Sequence, residues 1–271
     1  MSEPLTHPHP RSRIYRSFPQ QWTILDVSSH SVLDLILQKA RTAQKPPACV
    51  FDLDGTLFDV GYRTLGILQE WLNAKKATHI NPEFLTKLAA INYNHIGYSL
   101  THLFENAGFN LSDAEIAESF SSIEKDWKKK FFDGNWVVKY DTVMENSNYF
   151  LHEIYKRNIH IVYLTGRYAS SMTEGTHAQL AQHNFPLKNC DIVLKENLAL
   201  EDFVFKSEQI KKIAQKYDVI GNFENEYSNL GHMAKEAPHA VHAIVDSQHS
   251  GKMAPDLNMT VYRICQYEPV L

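Results

Sequence analysis

Apolar positions along this chain follow two rhythms, and the change falls near residue 140. Between residues 60 and 140 they recur at three- and four-residue steps: Leu65, Leu68 and Leu72 share one face, and Ile116, Phe120, Ile123, Trp127 and Phe131 another. Such spacing predicts amphipathic helices with an apolar stripe turned to a core. Ser112-Asp-Ala-Glu115 reads as a capping box for the second helix, and Asn81-Pro82 as a further helix start between the two. After Gly134 helical stretches (143–157, 172–183, 207–217) alternate with short apolar runs (159–164, 191–194, 219–223, 242–245). That alternation predicts a parallel sheet covered by helices. Upstream, Trp22 to Val27 predicts a strand or turn, and Val32, Leu33, Leu35, Ile36 and Leu37 a helix ended by Pro46-Pro47.

One apolar run differs from the rest because acids follow it immediately. Cys49, Val50 and Phe51 suit a strand buried on both faces, and Asp52-Leu-Asp54-Gly55-Thr56 comes directly after. Gly55 lets the backbone turn away, so Asp52 lies at the strand's carboxyl end, where open α/β sheets bind their ligands. Two carboxylates this close repel unless a cation or a shared proton intervenes, and a hard, oxygen-seeking ion such as magnesium suits them. The fold class expected is therefore α/β, a doubly wound parallel sheet interrupted directly after this strand by an all-helical unit. The division expected is an N-terminal extension over 1–45, a core over 46–59 and 141–271, and the helical unit over 60–140.

A second apolar run, Ile159 to Leu164, ends in Thr165-Gly166-Arg167. A hydroxyl and backbone amides at a strand-to-helix junction can hold a phosphoryl oxygen, although a threonine helix cap has the same appearance. Lys206 comes just before the predicted helix with Ile210, Ile213, Ala214 and Tyr217 on its buried face, where its ammonium would neutralise an anion; Lys195 competes for this role. The strand Asp218 to Phe223 runs into Glu224-Asn225-Glu226.

Composition narrows the partners. With 271 residues, net charge −4 and 44% hydrophobic content, the chain can build one sizeable core plus a smaller unit. No concentrated basic region calls for nucleic acid, and a solvated helix face accounts for Lys128-Lys129-Lys130. No segment approaches the ~20 apolar residues of a membrane span, and the proline-rich start has no signal core. Cys49, Cys190 and Cys265 are odd in number and far apart, which suits a reducing, cytoplasmic setting. The fourteen histidines are scattered, and His239 and His242 would point to opposite faces of an extended segment, against a zinc site. His249-Ser-Gly-Lys252 reads as a polar loop at the fringe of a pocket or as a plain turn. Neither Gly-x-x-x-x-Gly-Lys-Ser/Thr nor Gly-x-Gly-x-x-Gly is present, against P-loop nucleotide hydrolysis and dinucleotide binding.

The stretch from Phe51 to Thr56 resembles the first motif of the haloacid dehalogenase-like (HAD) superfamily, hydrophobic-Asp-x-Asp-Gly-Thr. The resemblance covers roughly residues 46 to 250. It implies a Rossmann-like core with a substrate-selecting cap over 60–140, Asp52 as nucleophile and Asp54 as general acid/base. An acid at the second position is the mark of the superfamily's phosphatases rather than of its dehalogenases. Thr165, with Gly166 and Arg167, is similar to the second motif, which implies phosphoryl and substrate contacts, although Arg167 can equally pair with an acid. Phe205-Lys206-Ser207 is similar to the third. The fourth departs from the common aspartates: Glu224 takes the place of the metal carboxylate, with Asn222, Asn225 or Glu226 as helper, and the Asp54 carbonyl completes the implied magnesium site. The expectation is a magnesium-dependent hydrolase of a small phosphorylated metabolite acting through an aspartyl-phosphate. The alternatives are a phosphotransferase or phosphomutase, or a catalytically weak phosphate-binding regulator. Tyr62, Arg63, Asn92, Tyr93, Asn94 and His95 are cap side chains open to substrate.

Overall fold

In the computed structural model, residues 21–75, 80–197 and 199–269 are described. The proline-rich start, residues 1–20, lies outside them.

In chain order the elements are β1 (Trp22–Asp26), α1 (Ser29–Thr42), β2 (Pro47–Phe51), β3 (Phe58–Asp59), α2 (Gly61–Lys75), α3 (Pro82–Ala89), a 3-10 turn (Tyr93–His95) and α4 (Leu100–Asn106). Then follow α5 (Ala114–Phe131), α6 (Gly134–Tyr140), β4 (Thr142–Val143), α7 (Ser147–Tyr155), β5 (His160–Tyr168) and α8 (Ala169–Gln182). The chain continues through β6 (Asp191–Lys195), α9 (Asp202–Lys216), β7 (Asp218–Glu224), α10 (Tyr227–Glu236), β8 (Val241–Val245) and β9 (Met259–Ile264).

Among the described residues, seven strands form one sheet in the order β1-β9-β8-β7-β2-β5-β6, and every neighbouring pair is parallel. Burial on both faces explains the continuous apolar runs that marked these strands. One face packs Val32 and Ile36 of α1, Phe150 and Leu151 of α7 and Leu180 of α8; the other packs Phe205 and Ile210 of α9 and Met233 of α10. The doubly wound sheet expected from the sequence is present, and β2, which carries the acids, lies between β7 and β5.

The boundary drawn at residue 45 differs from the structure. Trp22–Asp26 pairs in parallel with β9 along its whole length, and α1 packs on the sheet, so residues 22–42 belong to the core. The partner strand, β9, lies beyond the last apolar run recognised in the sequence. Charged and polar neighbours interrupt its alternation, and only Val261 and Ile264 are fully buried.

The helices over 61–140 leave and rejoin the core through a two-stranded antiparallel ladder, Phe58 opposite Val143 and Asp59 opposite Thr142. They share a separate cluster of buried side chains, among them Leu68, Trp71, Leu88, Leu103, Phe104 and Ile123. Local signals start these helices. Asn81 caps α3, its Oδ1 accepting from Glu83 N at 2.9 Å, with Pro82 in the first turn. The cap of α5 is Asp113 rather than Ser112, its carboxylate accepting from Glu115 N and Ile116 N. Ser112 N is instead held by Asn110 Oδ1 in the preceding turn.

Helices α6 and α8 touch backbone to backbone where Gly134 meets Gly175, and a Cβ on Gly175 would lie 2.3 Å from Gly134 O. Gly175→Ala is expected to cost about 1–3 kcal/mol, the usual range for overpacking, measured by urea unfolding. An unchanged midpoint would contradict the close approach.

Candidate active site

The elements that meet at the carboxyl end of β2 bring three charged side chains into one buried contact. Asp52 follows β2, Lys206 lies in the second turn of α9, and Glu224 ends β7. Lys206 Nζ donates to Asp52 Oδ1 at 2.6 Å and also to Glu224 Oε1. Thr56 Oγ1 donates to Asp52 Oδ2 at 3.1 Å, and Asp52 N donates to Phe223 O at 3.0 Å, tying the strand end to β7. The sequence had α9 begin after Lys206; it begins at Asp202, because the adjacent apolar residues Phe203, Val204 and Phe205 hide the helical period. Lys195, the competitor, is spent elsewhere, donating to Leu200 O and Asp202.

Burial sets the electrostatics of this group. It pushes Asp52 up to about 7, against the lowering charge of Lys206 and with the raising charge of Glu224. Burial opposes the ionised lysine too, but Asp52 and Glu224 outweigh it and hold Lys206 above the usual range.

Asp54, two residues on, meets the opposite environment. Arg167 donates to Asp54 Oδ1 through Nε at 2.8 Å and Nη2 at 2.5 Å, and Arg63 Nη2 donates to Oδ2 at 3.2 Å. Burial raises this carboxyl, but the charges of Arg167 and Arg63 prevail and hold it at about 2. The two arginines are joined by Asp141, whose carboxylate is completely buried. Arg63 grips Asp141 with Nε at 2.6 Å and Nη2 at 2.5 Å, and Arg167 Nη2 and Gln179 Nε2 reach Asp141 Oδ2 at 3.2 and 2.9 Å. Arg167 Nη1 donates to Thr176 Oγ1 and Gln179 Oε1. All five N–H groups of Arg167 are thereby engaged, so of the two roles open to it the geometry favours the pairing with an acid.

A cavity of about 310 Å³ opens above these groups, lined among others by Asp52, Asp54, Thr165, Gly166, Arg167, Lys206 and Asn225. Thr165 is buried near the end of β5, inside the strand rather than at a helix cap, and its Oγ1 accepts from Arg167 N at 3.2 Å. The helix cap position is Tyr168. The hydroxyl proton of Thr165 is therefore available to a ligand. From the inserted helices the walls are Ile96, Tyr98, Trp127, Phe131 and Phe132. Of the cap residues named from the sequence, Tyr62 lines a different depression, Tyr93 donates to Asp59, and Arg63 lies beneath the floor. Sequence reasoning missed Asp141 and Gln179, because a buried charged network has no period; the only available signal was a charged residue inside the apolar-spaced helix α2.

The four candidates of the fourth motif separate clearly. Glu224 Oε1 accepts from Lys206 and from Asn229 Nδ2, and Oε2 from the amides of Asn225 and Glu226 at 2.9 and 2.8 Å. With four donors on its two oxygens, Glu224 is here turned to Lys206, Asn229 and the loop amides. Glu226 is held by Ser250 N and Oγ. Asn222 faces the sheet interior toward His242 Nδ1 at 3.4 Å. Asn225 lies against Gly55, whose positive φ of 82° turns the chain and whose missing Cβ would fall 2.2 Å from Asn225 Nδ2. That nitrogen donates to Gln248 O. No group of three or more His, Cys, Asp or Glu side chains able to hold a metal occurs among the described residues. Asp52 carries one hydrogen bond on each oxygen and so keeps lone pairs that could serve a cation.

The sequence model of the HAD superfamily, subfamily IIIB (acid phosphatase), matches residues 94–251, more than half of the chain. The chain belongs to this family and is a HAD-like phosphatase, a hydrolase of phosphoric monoesters. The matched segment contains Thr165, Lys206 and Glu224, while Asp52 and Asp54 precede it.

Among solved structures, the chain is similar to a protein from Haemophilus somnus described as a predicted phosphoglycolate phosphatase (12% identity, 81% of this chain and 93% of that one, TM-score 0.48). It is also similar to the class C acid phosphatase from Bacillus anthracis (17%, 74% and 61%, 0.42). A third is a HAD-superfamily hydrolase, subfamily IA, from Geobacter sulfurreducens (12%, 82% and 94%, 0.47). No curated protein matches the sequence. No helix among the described residues is long and apolar enough to cross a membrane.

The raised carboxyl of Asp52 has a consequence for stability. Its folded pKa, about 7, exceeds the reference value of 3.8, so the folded state binds the extra proton between these pH values and stability falls as pH rises through that window. Asp52→Asn removes the cost while keeping an acceptor for Lys206. Its melting temperature is expected to gain on the wild type from pH 4 to pH 7 and to hold that gain above; a difference that shrinks over this range would contradict the assignment.

Proposed function

We propose that this phosphatase hydrolyses a small phosphomonoester through an aspartyl-phosphate on Asp52, with magnesium as cofactor. The observation that carries this reading is the Lys206 bridge from Asp52 to Glu224 at the ends of the central strands, on the floor of a cavity that Thr165 and Asp54 also line.

Asp52 attacks phosphorus in line and the bond to the leaving oxygen breaks, while Asp54 passes that oxygen a proton. Asp54 then takes a proton from the water that attacks the same phosphorus, and the bond to Asp52 breaks to release phosphate. The Thr165 hydroxyl and the Lys206 ammonium donate to the phosphoryl oxygens as charge shifts onto them. Asp54 at rest is ionised between its arginines. The negative charge of an arriving phosphate monoester raises it toward the form that can donate. Asp52, Asn225 Oδ1 and the Asp54 carbonyl are the residues that would hold the cation. Magnesium, when bound, screens the nucleophile from the phosphoryl oxygens and favours ionised Asp52.

The segment 60–140 acts in this reading as the cap, excluding water from the site. Its contribution of Ile96, Tyr98, Trp127, Phe131 and Phe132 suits a leaving group with an apolar face. Odd, widely separated cysteines support a cytoplasmic setting.

Release of inorganic phosphate from 4-nitrophenyl phosphate tests the reading. Turnover is expected with magnesium and not with chelator, to vanish in Asp52→Asn, and to fall by about 10²–10³ in Lys206→Met. Activity retained by Asp52→Asn would overturn the mechanism, and phosphate passed to an added polyol in preference to water would make the enzyme a phosphotransferase.

A further inference from the structure

The floor of the cavity is built from both parts of the chain, and Asp54 is where they meet. Arg167, at the end of β5, binds Asp54 Oδ1 twice. A carboxylate gripped at one oxygen still turns about its Cβ–Cγ bond. The contact to Oδ2 comes from Arg63, in the first turn of α2, whose Nη2 straddles the carboxylate at 3.2 Å from Oδ2 and 3.3 Å from Oδ1.

Arg63 is itself fixed, and by residues of the helical insert and its far end. Nε and Nη2 fork onto Asp141, the residue at which the chain returns to the sheet. Nη1 donates to Phe131 O at 2.9 Å, and the guanidinium lies 4.4 Å above the Phe131 ring. The side chain is wholly buried, so solvent cannot substitute for any of these partners. The start of the insert, the end of α5 and the return point therefore converge on one cation, which has one further contact, the Asp54 carboxylate.

We propose that Arg63 is the positioning residue for Asp54: the packing of the inserted helices, gathered at Arg63, fixes the rotation of the carboxylate that protonates the leaving group. This rests on the reading of Asp54 as acid/base. A frame role for the Arg63–Asp141 pair alone predicts a different outcome, because a loosened frame disturbs every substrate, whereas a misdirected acid harms only those whose leaving oxygen needs a proton. Phenyl phosphate needs one and 2,4-dinitrophenyl phosphate does not.

The test compares kcat/KM, which reads the chemistry through formation of the covalent intermediate, for both esters in Arg63→Met and Arg63→Lys. Arg63→Met is expected to lose about 10²-fold on phenyl phosphate and to stay near wild type on the dinitrophenyl ester. Arg63→Lys keeps the buried charge without the fork and is expected to lie between, with the same preference. Thermal unfolding establishes which variants fold, and Arg63→Lys is read alone if Arg63→Met does not. Equal losses on the two esters, no loss on either, or failure of both variants to fold would make Arg63 a frame residue and overturn the proposal. A wild-type protein that splits neither ester would instead sink the phosphatase reading, and this inference with it.

Discussion

The contact on which the rest of this structure depends is the ammonium of Lys206 between the carboxylates of Asp52 and Glu224. All three groups are buried, and loss of the Lys206 ammonium would leave two uncompensated carboxylates on the cavity floor. The contact joins β2, β7 and α9, so the same interaction that orients Asp52 also ties a helix to the two central strands. That is why the chain tolerates a pair of acids at the end of a buried strand: one is matched by lysine, and the other by arginines.

The two acids of the Asp-Leu-Asp stretch are thereby driven apart. Around Lys206 the carboxylates outnumber the cation, and burial leaves Asp52 raised. Around Asp141 two arginines face two carboxylates, and Asp54 is lowered. Paired carboxyls with divergent environments are the usual means by which one site assigns separate roles to chemically identical groups.

Much of this was legible in the sequence, and the pattern of what was not is instructive. β2, β5, β7 and β8 announced themselves because strands buried on both faces are uninterrupted apolar runs, and the residues at their carboxyl ends became candidates by topology alone. β1 and β9 escaped assignment to the core, since an outer pair with one half-exposed face resembles an amphipathic extension. The lysine contact of Glu224 was not legible, because an acid at a strand end suggests a cation ligand and the distant Lys206 meets it only in the fold. Arg63, Asp141 and Gln179 were invisible as a group because they lie far apart in sequence and their meaning resides only in contact with one another. Arg167 was given two roles by its position after Thr165, and only geometry favours one of them.

The account turns on Asp52 as the phosphorylated residue. The most direct measurement is a rapid acid quench of the enzyme turning over an isotopically labelled aryl phosphate with magnesium, followed by peptide mapping. Label on the peptide containing Asp52, labile to hydroxylamine and absent from Asp52→Asn, is the predicted result. Steady turnover with no covalent label, or label on another residue, would contradict it.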